Sequence, residues 1–161
     1  MVIVYAVKGF DGANLPLDNP LQVPAHRYSG RVLASGKEAV RTTPKFERGR
    51  LLGDVVFVSG TAAIKGEDSE FSEDTRVQAL GAIDVVEHLV APSNISPDCS
   101  AFRFGYLRVY VRRPQDLEPV REMFISHFKD PPIHFLQADI CRHELLLELE
   151  GVGRALPFIK P

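Results

Sequence analysis

The sequence predicts an α+β fold, a single domain in which one mixed β-sheet carries two helices packed on one face. Strand and helix patterns follow one another in the order strand, hairpin, helix, strand, helix, strand, strand. Both helical segments are apolar on one side only, and the strands alternate apolar with polar residues. Packing both helices on one face of the sheet buries the apolar surfaces of helices and sheet together. A chain of 161 residues is long enough for one such domain.

The N-terminal residues 1–45 are predicted to be a strand and a long loop or arm, which belong to the same domain as residues 46–161. Residues 2–7 are an apolar run, typical of a buried strand. Residues 9–45 are rich in proline, glycine and polar residues. Such a long, weakly patterned segment is typical of a functional loop or of an arm that lies on a neighbouring molecule.

Two helices are predicted from apolar residues that recur at helical spacing. The stripes consist of Ala79, Ile83, Val86 and Val90 in the first helix and of Leu117, Val120, Phe124 and Phe128 in the second. Ser72 is in position to cap the first helix, and Pro92 ends it. The second helix begins near Pro114, because proline is tolerated in a first turn.

The remaining strands are predicted over residues 46–52, 54–59, 102–112, 133–140 and 145–150. The first two form a hairpin around Gly53, because glycine readily adopts the positive φ that a tight turn needs. In the last strand, alternation separates Leu145, Leu147 and Leu149 from Leu146, Glu148 and Glu150. Two helices leave the other face of the sheet uncovered, which predicts subunit association.

Composition excludes several classes of function. The net charge of −2 and the pI near 6.2 argue against a nucleic-acid partner, which usually meets a basic surface. Cys99 and Cys141 have neither the spacing of a metal site nor that of a disulfide framework, which favours a reduced, cytoplasmic setting. Residues 2–7 are too short for a membrane span and lack the features of a signal peptide. We expect no membrane association, metal or cofactor.

Glu148 and a group of arginines are the candidate functional residues. A carboxylate between leucines of a strand faces either water or a pocket, and the residue pattern alone favours water. A guanidinium binds a carboxylate through two parallel hydrogen bonds, so arginines suit a carboxylated ligand. The candidates are Arg48, Arg108, Arg112 and Arg121. The alternative for each is a solvated face with salt bridges.

Four blocks of sequence resemble the RidA (YjgF) family, in that family's order. They are residues 56–60 (VFVSG), 74–80 (DTRVQAL), 107–111 (LRVYV) and 148–150 (ELE). The resemblance implies a RidA/chorismate mutase-like fold, usually a homotrimer with ligand sites in the clefts between subunits. Several members hydrolyse reactive enamines or imines derived from amino acids.

Further blocks resemble the C-terminal half of chorismatases, the chorismate-hydrolysing relatives of that family. They are residues 19–28, 46–52, 59–62 and 138–148. The resemblance implies that Glu148 is a general acid, that Ser59 and Gly60 offer backbone amides to a ligand carboxylate, and that Cys141 lines the same cleft. Arg48, Arg108 and Arg121 would hold the substrate.

The sequence departs from both families. The arginine with which imine-hydrolysing members grip a carboxylate is replaced by Ile133, or by His134 if the strand slips by one, and a family tyrosine is replaced by Phe46. Chorismatases are also about twice as long. The leading interpretation is hydrolysis of chorismate or a related carboxylated enol ether in a cleft of a homotrimer. A non-catalytic binder of a small carboxylic acid and an imine or enamine deaminase with an altered substrate are the alternatives.

Overall fold

The main sheet has six strands in a computed structural model that describes residues 7–30, 43–69 and 73–158. The strands are β1 (Asn14–Leu17), β2 (Gly49–Leu52), β3 (Val55–Thr61), β6 (Cys99–Val111), β7 (Ile133–Gln137) and β8 (Leu147–Pro157). Their spatial order is β1-β2-β3-β8-β6-β7. The β6–β7 pair is parallel and the other pairs are antiparallel, so the sheet is mixed, as predicted. A separate small hairpin joins β4 (Ile64–Lys65) to β5 (Asp68–Ser69).

The helices are α1 (Thr75–Leu89), the short α2 (Pro92–Ile95) and α3 (Leu117–His127). The side chain of Asp74, not that of Ser72, caps α1, accepting a hydrogen bond from the Arg76 amide. Ser72 lies outside the described residues. A single 3-10 turn at Pro114–Asp116 leads into α3, where proline needs no amide partner. No helix within the described ranges is long and apolar enough to cross a membrane.

The core lies between the sheet and the helices. Leu107 and Val109 of β6 and Leu149 of β8 are fully buried against Val86 of α1 and Phe124 of α3. The two predicted apolar stripes are confirmed as the surfaces that pack on the sheet. No described helix covers the other face of the sheet, which we call the open face. It carries the alternate residues of β6 and β8, among them Arg108, Tyr110, Glu148 and Glu150.

The structure differs from the prediction in strands β1 and β8. β1 lies within the segment predicted to be a loop, where Pro16 is tolerated because β1 is an edge strand. β8 continues to Pro157, seven residues beyond its predicted end, because its glycines permit close approach. A Cβ on Gly153 would lie 2.4 Å from the Arg103 carbonyl oxygen. Residues 2–6 of the strand predicted over residues 2–7 lie outside the described residues.

The described part of the N-terminal segment packs on the sheet and helices. The Asn19 side-chain amide is buried and donates to the Val85 carbonyl of α1 at 2.7 Å. The Gln22 amide is also buried and donates to the Ile64 carbonyl at 3.0 Å. These bonds fix residues 19–22 against α1 and β4.

Candidate active site

Glu148 lies on the open face near the start of β8, directly opposite Tyr110 of β6. Its carboxylate packs against the Cα of Gly60, at an irregularity in the pairing of β3 with β8. A Cβ at position 60 would lie 2.2 Å from Glu148 Oε1, so only glycine leaves room for the carboxylate here. Gly60 therefore contributes to the site because it has no side chain to displace the Glu148 carboxylate.

The Glu148 carboxylate has no hydrogen bond or ion pair with any described residue, although it is partly buried. Burial raises its pKa above the usual glutamate range, and the neighbouring charge of Glu150 raises the pKa further. A carboxyl in this condition retains its proton at a higher pH than an ordinary glutamate does. It can therefore serve as a proton donor closer to neutral pH.

Glu150, two residues further along β8, is held by two groups of β6. The Tyr110 hydroxyl donates to Glu150 Oε1 at 2.7 Å, and Arg108 Nε forms an ion pair with the same oxygen at 3.0 Å. Burial and the hydrogen bond to Glu150 raise the pKa of Tyr110 to about 12, so its hydroxyl is a donor at neutral pH. Arg108 Nη2 also donates to the Tyr106 hydroxyl at 3.2 Å.

Two cavities meet at Glu150. The first, of about 270 Å³, is lined by Tyr110, Leu136, Gln137, Ala138, Asp139, Ile140, Glu148 and Glu150. The second, of about 170 Å³, is lined by Phe57, Val58, Ser59, Gly60, Tyr106, Arg108, Glu150, Gly151 and Val152. Glu148 lines the first cavity and Arg108 the second. A larger open groove of about 1020 Å³ runs past Phe46, Phe57 and Ser59 and does not reach Glu148.

The loop that carries Cys141 is tied to β6 by Arg112. The Arg112 guanidinium donates to the carbonyls of Leu145, Ile140 and Arg142 at 2.9, 2.7 and 2.9 Å. Cys141 is exposed as a whole residue, but partial burial of its thiol and the charge of Glu148 raise the thiol pKa. The thiol is therefore close enough to Glu148 to feel its charge, and the raised pKa disfavours the thiolate.

Several predicted site residues do not join this cluster. Arg48 is buried at the hairpin, where it donates to the Val23 carbonyl at 3.1 Å and to the Tyr28 hydroxyl. Its guanidinium also lies 5.0 Å from the centre of the Phe46 ring. Arg121 lies on α3, on the helix-covered side of the sheet, and pairs with Glu118 at 3.0 Å. Arg121 therefore does not share a face of the sheet with Glu148 in this chain.

The other predicted residues lie on or beside the open face. Ser59 lines the second cavity, but its amide already donates to the Arg48 carbonyl at 3.1 Å and is not available to a ligand. His134 pairs in register with Arg108, whereas the neighbouring Ile133 packs against the core. Of the two residues, His134 therefore shares the face of Arg108, and Ile133 faces the core.

Glu150 and Tyr110 also belong to the candidate site, and the sequence alone does not identify them. Both share the strand face of an assigned residue, since Glu150 follows Glu148 by two and Tyr110 follows Arg108 by two. The period of two was the available signal. The pairing of Tyr110 with Glu148 depends on the register between β6 and β8, which the sequence does not reveal. Among the described residues no cluster of three or more His, Cys, Asp or Glu side chains could hold a metal ion.

Comparison with known proteins places the chain among proteins of this fold. A 3-hydroxybenzoate synthase from Streptomyces hygroscopicus is 32% identical over 94% of this chain and 46% of its own length. A chorismatase from Streptomyces rapamycinicus is 28% identical over 94% of this chain and 47% of its own length. The chain thus spans about half the length of the curated relatives that it matches. No protein-family model matches it.

Solved structures give the same result. A chorismatase crystal structure superposes with a TM-score of 0.71 and 27% identity, over 88% of this chain and 44% of that one. A Mycobacterium tuberculosis member of the YjgF/YER057c/UK114 family superposes with a TM-score of 0.60 and 16% identity, over 89% of this chain and all of that one. The resemblance and the fold class predicted from the sequence are therefore confirmed: the chain is similar to chorismatases and has the fold of the RidA (YjgF) family.

Proposed function

We propose that this protein hydrolyses chorismate or a related carboxylated enol ether, with Glu148 as the general acid. The observation that carries the proposal is the state of the Glu148 carboxyl, which has a raised pKa, no described partner and a place on the wall of a cavity. The names of the relatives support the choice of substrate.

The reaction requires a proton on carbon. An enol ether is cleaved when its terminal methylene carbon accepts a proton, which leaves an oxocarbenium ion that water attacks. The resulting hemiketal collapses to a keto acid and an alcohol. Transfer from the protonated Glu148 carboxyl begins this sequence, and the carboxylate that remains then accepts a proton from the attacking water.

Arg108 is the predicted arginine that lines a cavity beside Glu150. Its guanidinium supplies positive charge where a substrate carboxylate would enter, and Tyr106 and Glu150 fix its orientation. Because the arginine lies on β6 and the acid on β8, the distance between them is set by the sheet. Such a fixed spacing suits a small, rigid substrate.

We further propose that the site is a cleft between subunits of a cytoplasmic homotrimer. The open face has no described helix over it, and its polar residues are only half-buried in one chain. A second copy lying on this face would exclude water from Glu148 and raise its pKa further. Light scattering coupled to gel filtration tests the assembly, and a monomer at micromolar concentration contradicts it.

The test of the reaction is incubation with chorismate, following both the loss of its ultraviolet absorbance and the release of pyruvate. Glu148→Gln is expected to reduce kcat by about 10²- to 10⁴-fold, the usual contribution of a general acid. Arg121→Gln is the matched control and should leave turnover unchanged, because Arg121 lies on α3. Chromatography of the ring product distinguishes hydrolysis from formation of 3-hydroxybenzoate, the product named for one relative. Turnover equal in the wild type and in Glu148→Gln contradicts the proposal.

A non-catalytic binder of a small carboxylic acid is the second candidate. Two observations favour it. Arg108 already forms an ion pair with Glu150, and positions 133 and 134 carry no arginine. Calorimetric binding of chorismate without conversion would support it. Conversion of imino acids in a parallel assay would support the deaminase alternative instead.

A further inference from the structure

We propose that Glu150 is a positioning residue that keeps Glu148 the proton-carrying member of this pair of carboxyl groups. The inference rests on the proposed function, since it explains how Glu148 can act as the acid. It assigns a role to Glu150, Tyr110 and Arg108, which the proposed reaction does not itself require as reactants.

The geometry of the pair is asymmetric. Glu148 and Glu150 stand on the same face of β8, about 7 Å apart along the strand. Glu150 is fixed by the Tyr110 hydroxyl at 2.7 Å and by Arg108 at 3.0 Å. Both of these groups donate toward the Glu150 carboxyl group and fix its position. Glu148 receives no such contact from any described residue.

Two carboxylates this close on a partly buried surface disfavour a second negative charge. Because Arg108 and Tyr110 donate to Glu150 and no described residue donates to the Glu148 carboxyl group, the proton of the pair belongs on Glu148. The position of Glu148 beside Gly60 favours the protonated form further, because Oε1 packs against the glycine backbone carbon and not against a hydrogen-bond donor. The proton therefore stays on the group that faces the larger of the two cavities that meet at Glu150.

The other titratable groups around Glu148 do not provide the same effect. Asp139 of the preceding loop lines the same cavity, but its side chain is 97% exposed and its charge is screened by water. The Cys141 thiol has a raised pKa and is neutral near pH 7. On β6, Tyr110 is neutral and Arg108 is committed to Glu150. On the β3 side, Ser59 and Gly60 carry no charge.

The consequence for the reaction is a division of labour between two similar residues. Arg108 and Tyr110 hold Glu150 in place through the catalytic cycle, while Glu148 exchanges a proton with substrate and water. Removing the charge of Glu150 should lower the pKa of Glu148 and so reduce the fraction of Glu148 that carries a proton at working pH. Substrate binding should be affected less than proton transfer.

The experiment measures the titration of the Glu148 carboxyl carbon by ¹³C NMR, and the pH profile of kcat with chorismate, in the same set of proteins. In the wild type the Glu148 midpoint should lie above the ordinary glutamate range. Glu150→Gln should lower that midpoint and reduce kcat at pH 7.5 by about tenfold for each unit of the fall, with KM changing less. Glu150→Asp keeps the charge and should restore most of both.

Asp54→Asn is the matched control, because it removes one carboxylate from the turn at the other end of β8, beside Arg154. It should move neither the Glu148 midpoint nor kcat. An unchanged Glu148 midpoint in Glu150→Gln overturns the inference, whatever the activity. A lowered midpoint in a protein whose wild type does not consume chorismate supports the placement of the proton and overturns the proposed reaction. If Glu150→Gln does not fold, a wild-type midpoint within the ordinary range overturns the inference by itself.

Discussion

The two faces of the sheet are built from alternate residues of the same strands, but they differ in burial and in polarity. On the face toward the helices, Leu107, Val109 and Leu149 are completely buried in the hydrophobic core. On the open face the residues between them are Arg108, Tyr110, Glu148 and Glu150, which are half-buried and charged or polar. Of two adjacent residues on one strand, one thus belongs to the core and the other to the candidate active site, because successive side chains of a strand point to opposite faces.

The difference shows where the protein gains stability and where it does not. Burial of a large apolar side chain on the helix face stabilises the fold by about 1.5–3 kcal/mol. On the open face, the charged form of Glu148 is unfavourable because the carboxylate is partly buried without a described partner. Its pKa is raised for this reason. A group with this property is retained for chemistry rather than for stability.

The largest expected effect tests the helix face. Phe124 of α3 is fully buried against the sheet, so Phe124→Ala should reduce the free energy of unfolding by about 3–5 kcal/mol. Ile125, the next residue, is exposed, and Ile125→Ala should change it by less than about 0.5 kcal/mol. Urea denaturation of both variants measures the difference. Similar losses in the two would mean that α3 does not pack as described.

The second effect tests the open face without disturbing the core. A methyl group at Gly60 would collide with the far end of the Glu148 side chain, which can rotate away, so Gly60→Ala should fold. Because the carboxylate must leave its position, kcat with chorismate should fall by about 10²-fold. Gly105→Ala on β6 is the control, since its Cβ would meet the Val152 carbonyl oxygen at an ordinary 3.4 Å. Unchanged turnover in Gly60→Ala would contradict a role for Glu148 in the reaction.

The sequence was sufficient to predict the fold because its periodic patterns are strong. The stripe through Val86, the stripe through Phe124 and the turn at Gly53 (φ 64°) are all in the structure. The extent of β8 was not predictable in the same way. Gly151 and Gly153 interrupt the pattern of side chains, and only the partner strand shows that their lack of a side chain allows close pairing.

The candidate site was predictable in part. Glu148 was assigned through family resemblance, and Arg108 through its strand face. The sequence did not distinguish Arg108 from Arg121, because all arginines are equally suited to a carboxylate until the fold separates them. The contact of Gly60 with Glu148 and the bond of Tyr110 to Glu150 join residues 88 and 40 positions apart, and strand register alone brings them together.

The smallest expected effect is a pH dependence of the free energy of unfolding that arises from Glu148 on the open face. Because the pKa of Glu148 is raised in the folded state, the folded protein keeps a proton there at pH values where the unfolded chain has lost it. The free energy of unfolding should therefore fall as pH rises from the ordinary glutamate pKa through the raised one.

Glu148→Gln removes this dependence and keeps the size of the side chain. The variant should be more stable than the wild type above the raised pKa, and its advantage should vanish below the ordinary one, as measured by urea denaturation between pH 4 and pH 8. Glu122→Gln, at an exposed position of α3, controls for the loss of one negative charge. If Glu148→Gln is instead less stable at pH 8, the carboxylate is stabilised by a partner in solution. The open face would then be a structural surface like the other, and the asymmetry from which the catalytic role of Glu148 is argued would not exist.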